Sequence, residues 1–279
     1  LGIPVFYYIS PQVWAWRSGR VKTIRERVDK IGVILPFEEE FFRLRGIDAE
    51  YVGHPLLDTV ATTVTKKQFY QQHRIPDDVQ CIGLLPGSRK REVASLLPLF
   101  LSAARIIQQN STEQLVFPVP QASTISVEDL ENAGIREAKE FLDIRIINEE
   151  RYNMMAACNA AIAASGTVTL ELAILGVPMV VAYKLAPLTY LLGKLLVKLD
   201  YFSLVNLIAG CEAVPELLQE EVTPQRLANE VTALLWQPQK RQQMINALRE
   251  VNGKLGKSGA SAKAALVAAH LLQRKKSHP

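Results

Sequence analysis

The chain has 279 residues, 48% hydrophobic and 22% charged, which is ordinary globular composition and enough for two α/β domains. Its net charge of +4 admits anionic partners but does not demand nucleic acid. The cysteines, Cys81, Cys158 and Cys211, lie far apart with no CxxC pair, and no two of the four histidines have metal-ligand spacing; this excludes a disulfide framework and a structural zinc site and fits a reducing compartment.

Residues 3–9 are apolar and aromatic and read as a buried strand. Leu1 already stands in the approach to that strand, with no signal peptide, so a longer front portion of the protein is expected. Pro11 is placed to open a short helix or turn carrying Trp14, Trp16 and Arg17. These three either line a cleft for a sugar or acyl chain, or pack beside a surface arginine. Arg20, Lys22, Arg25 and Arg27 follow on a helix whose inner side is Val21, Ile24 and Val28. This basic run is either a solvated face or a surface for an anionic membrane. Residues 29–35 read as the next parallel strand, Pro36 opens a helix to Arg43, and Gly46 is its C-cap candidate. A short strand at 49–52 leads into Gly53-His54-Pro55, a tight loop in which His54 either faces a cleft or is structural.

Residues 59–79 turn polar and read as a linker plus a short helix. The domain boundary is placed here, between 1–58, the C-terminal part of a first α/β domain, and a second domain at 80–235. Helices at 236–279 are expected to pack back toward the first. Residues 81–85 form a clean buried strand, followed by Pro86-Gly87-Ser88-Arg89. Gly87 and Ser88 supply a turn with free N–H groups, and Arg89 a guanidinium fork suited to a pyrophosphate. The pattern is neither GxGxxG nor a P-loop, so NAD and ATP chemistry lose ground. A cation at a helix start opposes the dipole unless an anion sits there, which favours ligand binding over a plain basic helix start. A helix at 96–108, a strand at 115–119, a helix at 126–140, a strand at 143–147 and a helix at 152–158 continue the alternation of a doubly wound sheet.

The chain is organised around residues 155–183. A strand of small apolar residues at 160–164 runs into Ser165-Gly166-Thr167, then a helix at 169–175 ended by Gly176, then a strand at 178–183. The turn feeds a helix N-terminus whose free N–H groups and dipole attract phosphate. Glu171 lies four residues past Thr167, on the same helix face, where a carboxylate can accept hydrogen bonds from paired sugar hydroxyls. The alternative is an ordinary capped helix with Glu171 solvated. Beyond it, an apolar segment at 188–199, too interrupted by Gly193, Lys194 and Lys198 to span a bilayer, is either core or a membrane contact. Asn206 is an amide inside an apolar segment and needs a partner. Helices at 224–236, 239–255 and 262–274 close the chain.

Together these segments resemble the lipid-A-disaccharide synthase family, bacterial inverting glycosyltransferases of the two-domain GT-B fold. The matching stretches are SPQVWAWRSGR at 10–20, PFE at 36–38, GHPLLD at 53–58, LPGSR at 85–89, SGTVTLE at 165–171, LGVPMVVAYK at 175–184, SLVNLIAG at 203–210 and VPELLQ at 214–219. They are spaced along nearly the whole chain. The resemblance implies an α/β architecture of GT-B type with two Rossmann-like doubly wound domains, the N-terminal one incomplete. It implies transfer of a diacylglucosamine from UDP to the 6-hydroxyl of diacylglucosamine 1-phosphate (lipid X), giving the β-1,6 disaccharide 1-phosphate of lipid A biosynthesis. No cofactor, metal or nucleic acid is expected; the inner membrane surface, on its cytoplasmic face, and a homodimer partner are.

By motif position, Gly87, Ser88, Arg89, Ser165, Gly166 and Thr167 would take the donor's phosphates, with Arg89 stabilising the leaving diphosphate. Glu171 would hold the ribose hydroxyls and Asn206 would touch donor sugar or phosphate. Trp14, Trp16, Arg17 and His54 fall on the acceptor side, and the general base in the front portion. Two positions depart from the family: Cys211 stands where a basic residue is usual, which would weaken phosphate binding, and Val205 where Pro is usual. Two alternatives remain. A UDP-sugar epimerase leaves the VWAWR and GHPLLD segments unexplained, and a non-catalytic nucleotide-binding fragment follows if the chain begins at Leu1.

Overall fold

The computed structural model describes residues 3–16, 19–185 and 200–276. They form two compact units: residues up to Thr59 with those from Asn252 onward, and Val60–Leu185 with Tyr201–Val251. The segment at 188–199 and Arg17 lie outside the described residues.

In the first unit, β1 (Phe6–Tyr8), β2 (Lys30–Val33) and β3 (Ala49–Tyr51) pair in parallel in that order. They are interleaved with α1 (Val13–Trp16), α2 (Gly19–Arg27), α3 (Pro36–Arg43) and α4 (Leu56–Thr59). α2 turns Val21 and Ile24 inward to Ile31, Val33, Phe42 and Ile47, and leaves Arg20, Lys22, Arg25 and Arg27 exposed. Pro36 starts α3, where its missing N–H has no intrahelical partner to lose. The closing helix, Ala260–Lys276, packs Ala264 and Val267 against Val52, Phe6 and Tyr8.

The second unit is a wholly parallel six-stranded sheet. Its strands are β4 (Gln80–Leu85), β5 (Leu115–Pro120), β6 (Asp143–Ile147), β7 (Ala160–Ala164), β8 (Met179–Tyr183) and β9 (Glu216–Leu218), in the order β6-β5-β4-β7-β8-β9. β4, β7 and β8 are buried almost throughout, as their unbroken apolar runs require of strands covered on both faces. The helices are α5 (Lys66–Gln72), α6 (Lys90–Gln109), α7 (Val127–Asn132), α8 (Ile135–Ala138), α9 (Arg151–Ala157), α10 (Thr167–Ile174), α11 (Leu204–Ala209), α12 (Pro224–Trp236) and α13 (Pro238–Lys254). From β4 the chain winds outward through α6 to β5; from β7 it winds the other way through α10 to β8. Right-handed crossovers therefore put α6 and α10 on opposite faces, and the strand order reverses between β4 and β7.

Several elements differ from their sequence expectation for identifiable reasons. Residues 59–79 read as a linker plus a short helix; the helix is α5, which buries Phe69 and Tyr70 and lies against α9, and the stretch from Val60 onward belongs to the second unit. The helix expected over 126–140 is split into α7 and α8 at Gly134, whose φ is 98°. α6 begins at Lys90 and runs through Pro98, which sits on the exposed side, where water can satisfy the carbonyl that loses its N–H donor.

At the amino end of the switch point one side chain joins three elements. The Asn159 Oδ1 accepts from the Cys81 N–H (3.1 Å), the Tyr70 hydroxyl (3.3 Å) and the Lys66 ammonium (3.0 Å). Its N–H donates to the Cys81 carbonyl (2.7 Å), and its own carbonyl accepts from Arg241 (2.6 Å). Asn159→Ala strips a buried strand N–H of its acceptor and is expected to cost about 2–3 kcal/mol in urea denaturation, with any ligand affinity at the opposite end of the strands unchanged.

Candidate functional site

Leu85 and Ala163 are register partners, so the loops following β4 and β7 leave the sheet side by side. This is the carboxyl edge at the reversal of strand order, where open α/β sheets hold ligands. In the first loop Gly87 has φ 101°, and a Cβ there would stand 2.5 Å from Glu92 Oε2 and 3.2 Å from Glu92 Cβ. Glycine is thus required by both backbone and space. Arg89 is the N-cap of α6 but makes no side-chain cap bond. Its guanidinium, 82% exposed, lies 2.8 Å from Glu92 Oε1. The clash between cation and helix dipole is therefore relieved in part by a carboxylate of the same turn. An exposed pair of this kind is weak, and a multivalent anion can displace it. The Thr124 hydroxyl holds the loop by donating to the Ser88 carbonyl (2.5 Å).

In the second loop the Ser165 N–H donates to the Ala182 carbonyl (3.0 Å) and its hydroxyl to the Phe202 carbonyl (3.4 Å). Gly166, at φ 158° and ψ −162°, occupies a region kept for glycine, and the space its Cβ would fill is open. No side chain caps α10; the Thr169 hydroxyl turns back to the Gly166 carbonyl (2.8 Å) instead. The first N–H groups of α6 and α10 thus remain available at this edge, with Thr167 exposed beside them.

Glu171 is not solvated. Its side chain is 6% exposed, and burial raises its pKa; the neighbouring Arg151 charge and the Tyr152 hydroxyl pull it partly back. Arg151 Nη2 donates to Glu171 Oε1 (3.2 Å) and to the Tyr152 hydroxyl (2.6 Å), with the guanidinium over the Tyr152 ring at 4.6 Å. Arg151 and Tyr152 were absent from the sequence-based candidates. Twenty residues separate Arg151 from Glu171, and only the side-by-side placing of α9 and α10 brings them together.

Residues 2–270 match the family described as lipid-A-disaccharide synthetase. The lipid-A-disaccharide synthase of Syntrophus aciditrophicus is 44% identical over 276 residues, covering 98% of this chain and 70% of the relative. The chain belongs to the lipid-A-disaccharide synthase family. With the family comes its chemistry, hexosyl transfer in lipid A biosynthesis. Among solved structures, the UDP-GlcNAc 2-epimerase of Neisseria meningitidis bound to UDP-GlcNAc superposes with a TM-score of 0.61 at 14% identity, over 97% of this chain and 70% of that one. A glycosyltransferase of Rickettsia africae gives 0.57 at 12% identity, over 95% and 68%. The fold is GT-B.

Other family-motif residues have internal occupations. Asn206 is fully buried. Its Oδ1 accepts from the Ala213 and Val214 N–H groups (2.8 and 2.9 Å), and its Nδ2 donates to the Val214 carbonyl (2.8 Å). The partner its burial demanded is supplied by the backbone at 213–214. Val205 is buried beside it, and Cys211 is exposed just past Gly210. In the first unit Trp14 is half-buried, donates through Nε1 to Glu38 Oε1 (2.9 Å) and meets Phe37 edge-on. His54 is buried, and its Nδ1 accepts from the Leu56 N–H (3.2 Å), capping α4. Burial and this cap are what its structural reading expects. Among the described residues no cluster of His, Cys, Asp and Glu is arranged to hold a metal ion.

Asn206→Ala takes away the side-chain partner of the Val214 N–H and carbonyl, the Ala213 N–H keeping the Cys211 carbonyl (2.9 Å), and is expected to destabilise the second unit by about 2–3 kcal/mol in urea denaturation; an unchanged midpoint would return the residue to the ligand-contact role. Burial lowers the His54 pKa from 6.5 to about 4. The depressed value means that its contribution is complete above pH 6.5 and is lost as pH falls toward 4, by up to about 3 kcal/mol. Denaturation at pH 7 and pH 4.5 should show this loss, and His54→Asn, which keeps an acceptor for Leu56, should diminish it.

Proposed function

We propose that the second unit binds the nucleotide donor of the family's hexosyl transfer, a UDP-linked 2,3-diacylglucosamine. One observation carries the reading: two helices without side-chain caps start at the point where the strand order reverses, and one of them, α10, carries a buried carboxylate in its second turn. In this reading Gly87, Ser88, Ser165, Gly166 and Thr167 offer N–H and hydroxyl groups to the two phosphates. Arg89 leaves Glu92 to neutralise the diphosphate as it departs, and Glu171 takes the ribose hydroxyls. The Neisseria epimerase, which shares the fold, was solved with UDP-GlcNAc bound.

The reaction is a displacement. The 6-hydroxyl oxygen of 2,3-diacylglucosamine 1-phosphate bonds to the donor's anomeric carbon from the face opposite UDP. The bond from that carbon to the phosphate oxygen breaks, its electron pair leaves with UDP, and the hydroxyl proton goes to a base. Inversion gives the β-1,6 linkage. Trp14, with Trp16 and Arg17, belongs to the acceptor side in this reading. Both substrates carry acyl chains, and the outward row of Arg20, Lys22, Arg25 and Arg27 suits an anionic bilayer, which we take to be the cytoplasmic face of the inner membrane. Among the described residues no helix is long and apolar enough to cross a membrane.

Titration calorimetry with UDP tests the donor site directly. Saturable binding is expected, weakened by Glu171→Ala and by Arg89→Ala, the latter by about 10- to 100-fold for loss of a charge-assisted contact. In a catalytically active homologue, the arginine at the position of Arg89 should supply about 2–4 kcal/mol of transition-state stabilisation. No heat of binding at millimolar UDP would overturn the reading.

A further inference from the structure

The ion pair at Glu171 is asymmetric. Its carboxylate is nearly enclosed, while the Arg151 side chain is 54% exposed. A buried carboxylate needs a compensating charge or it takes up a proton. Among the described residues the ionisable groups that act on Glu171 are Arg151 and Tyr152, both from α9. Of the other elements packed on α10, β7 and α11 carry no ionisable side chain, and β8 carries only Tyr183. Arg151 is in turn fixed by Tyr152, through both a hydrogen bond and the ring face. Oε1 takes the Arg151 hydrogen bond, and the Tyr152 hydroxyl also acts on the carboxylate as a hydrogen-bond donor.

We infer that Arg151 is a positioning residue for the donor site: braced by Tyr152, it keeps Glu171 ionised and turned so that the carboxylate accepts from a vicinal pair of ligand hydroxyls. The inference rests on the donor reading above. It deepens that reading by assigning selection of a ribonucleotide over its 2′-deoxy analogue to a pair, Arg151 with Glu171, rather than to the carboxylate alone. A neutral carboxylic acid has one oxygen that donates and accepts poorly from two hydroxyls, so selection should vanish with the charge. Burial already raises the Glu171 pKa and the Arg151 charge opposes that rise. Removing the guanidinium therefore moves the loss of selection to higher pH.

The experiment is calorimetric titration of this chain with UDP and with 2′-deoxy-UDP, at pH 8 and pH 6, for the wild type, R151Q, R151K, Y152F and E171Q. The terminal phosphate of UDP itself titrates near pH 6, so the ratio of the two affinities is the readout, in which that change cancels. The wild type should prefer UDP by about tenfold at both pH values, the worth of a charge-assisted hydrogen bond. E171Q should bring the ratio close to one at both. R151Q should show a lower ratio than the wild type, and a lower one at pH 6 than at pH 8, and R151K should restore it. A ratio in R151Q equal to wild type at both pH values, with E171Q still losing it, would overturn the role of Arg151 and leave the donor reading intact. Absence of UDP binding in the wild type would overturn both. Should R151Q not fold, Y152F decides: a lowered ratio at pH 6 supports the brace, and an unchanged ratio refutes it.

Discussion

Two neighbouring parallel strands whose crossovers depart to opposite faces leave an edge that the sheet's own helices do not close. In the second unit those strands are β4 and β7, and the gap above them determines what surrounds it. Gly87 and Gly166 turn the backbone at positive φ, and among the described residues neither α6 nor α10 receives a side-chain cap. At the other end of the same strands Asn159 ties β4, β7 and α5 together, so the open end is built on a closed one.

The first unit shows that such openness is not a general property of helices in this chain. There Glu38, buried in the first turn of α3, accepts from the Ile34 and Leu35 N–H groups (3.3 and 3.0 Å) and from Trp14. Burial raises its pKa, and these bonds lower it again. The positive end of α3 is occupied by the protein's own carboxylate. At α6 and α10 no carboxylate does this, Glu92 being turned to Arg89 instead. An anion-seeking end and a self-satisfied end thus coexist on one topology, and side chains decide between them.

The alternation of strand and helix was legible because it depends on local properties: unbroken apolar runs at 81–85 and 160–164, and turn chemistry at Gly87, Ser165 and Gly166. The two loops were legible as a pair because the doubly wound order places them on one edge. Within 59–79 the short helix is legible, but its packing into the second unit is not. Lys66, Lys67 and the glutamines are polar by composition, but burial of Phe69 and Tyr70 is set by α9, which lies far along the chain. β9 is three residues long and carries no period of its own; its pairing to β8 makes it a strand. Arg151 escaped notice because an arginine opening a short helix is unremarkable until the carboxylate it faces is known to be buried.

Asn206 and Glu171 show how a buried polar residue divides between structure and function. Both sit in family motifs, and burial alone does not distinguish them. The difference lies in unfilled capacity. The Asn206 amide has both accepting positions of its oxygen engaged by backbone donors and its nitrogen engaged by a carbonyl. Such a group fixes its neighbours, and a ligand could recruit it only by breaking bonds that burial makes costly. Glu171 has the Arg151 guanidinium and the Tyr152 hydroxyl as its partners, both from one neighbouring helix, on a helix whose start is uncapped. Its desolvation is only partly compensated within the protein, which its raised pKa records. A ligand bearing two adjacent hydroxyls would complete the hydrogen bonding of that carboxylate, and the free energy withheld in folding becomes available on binding.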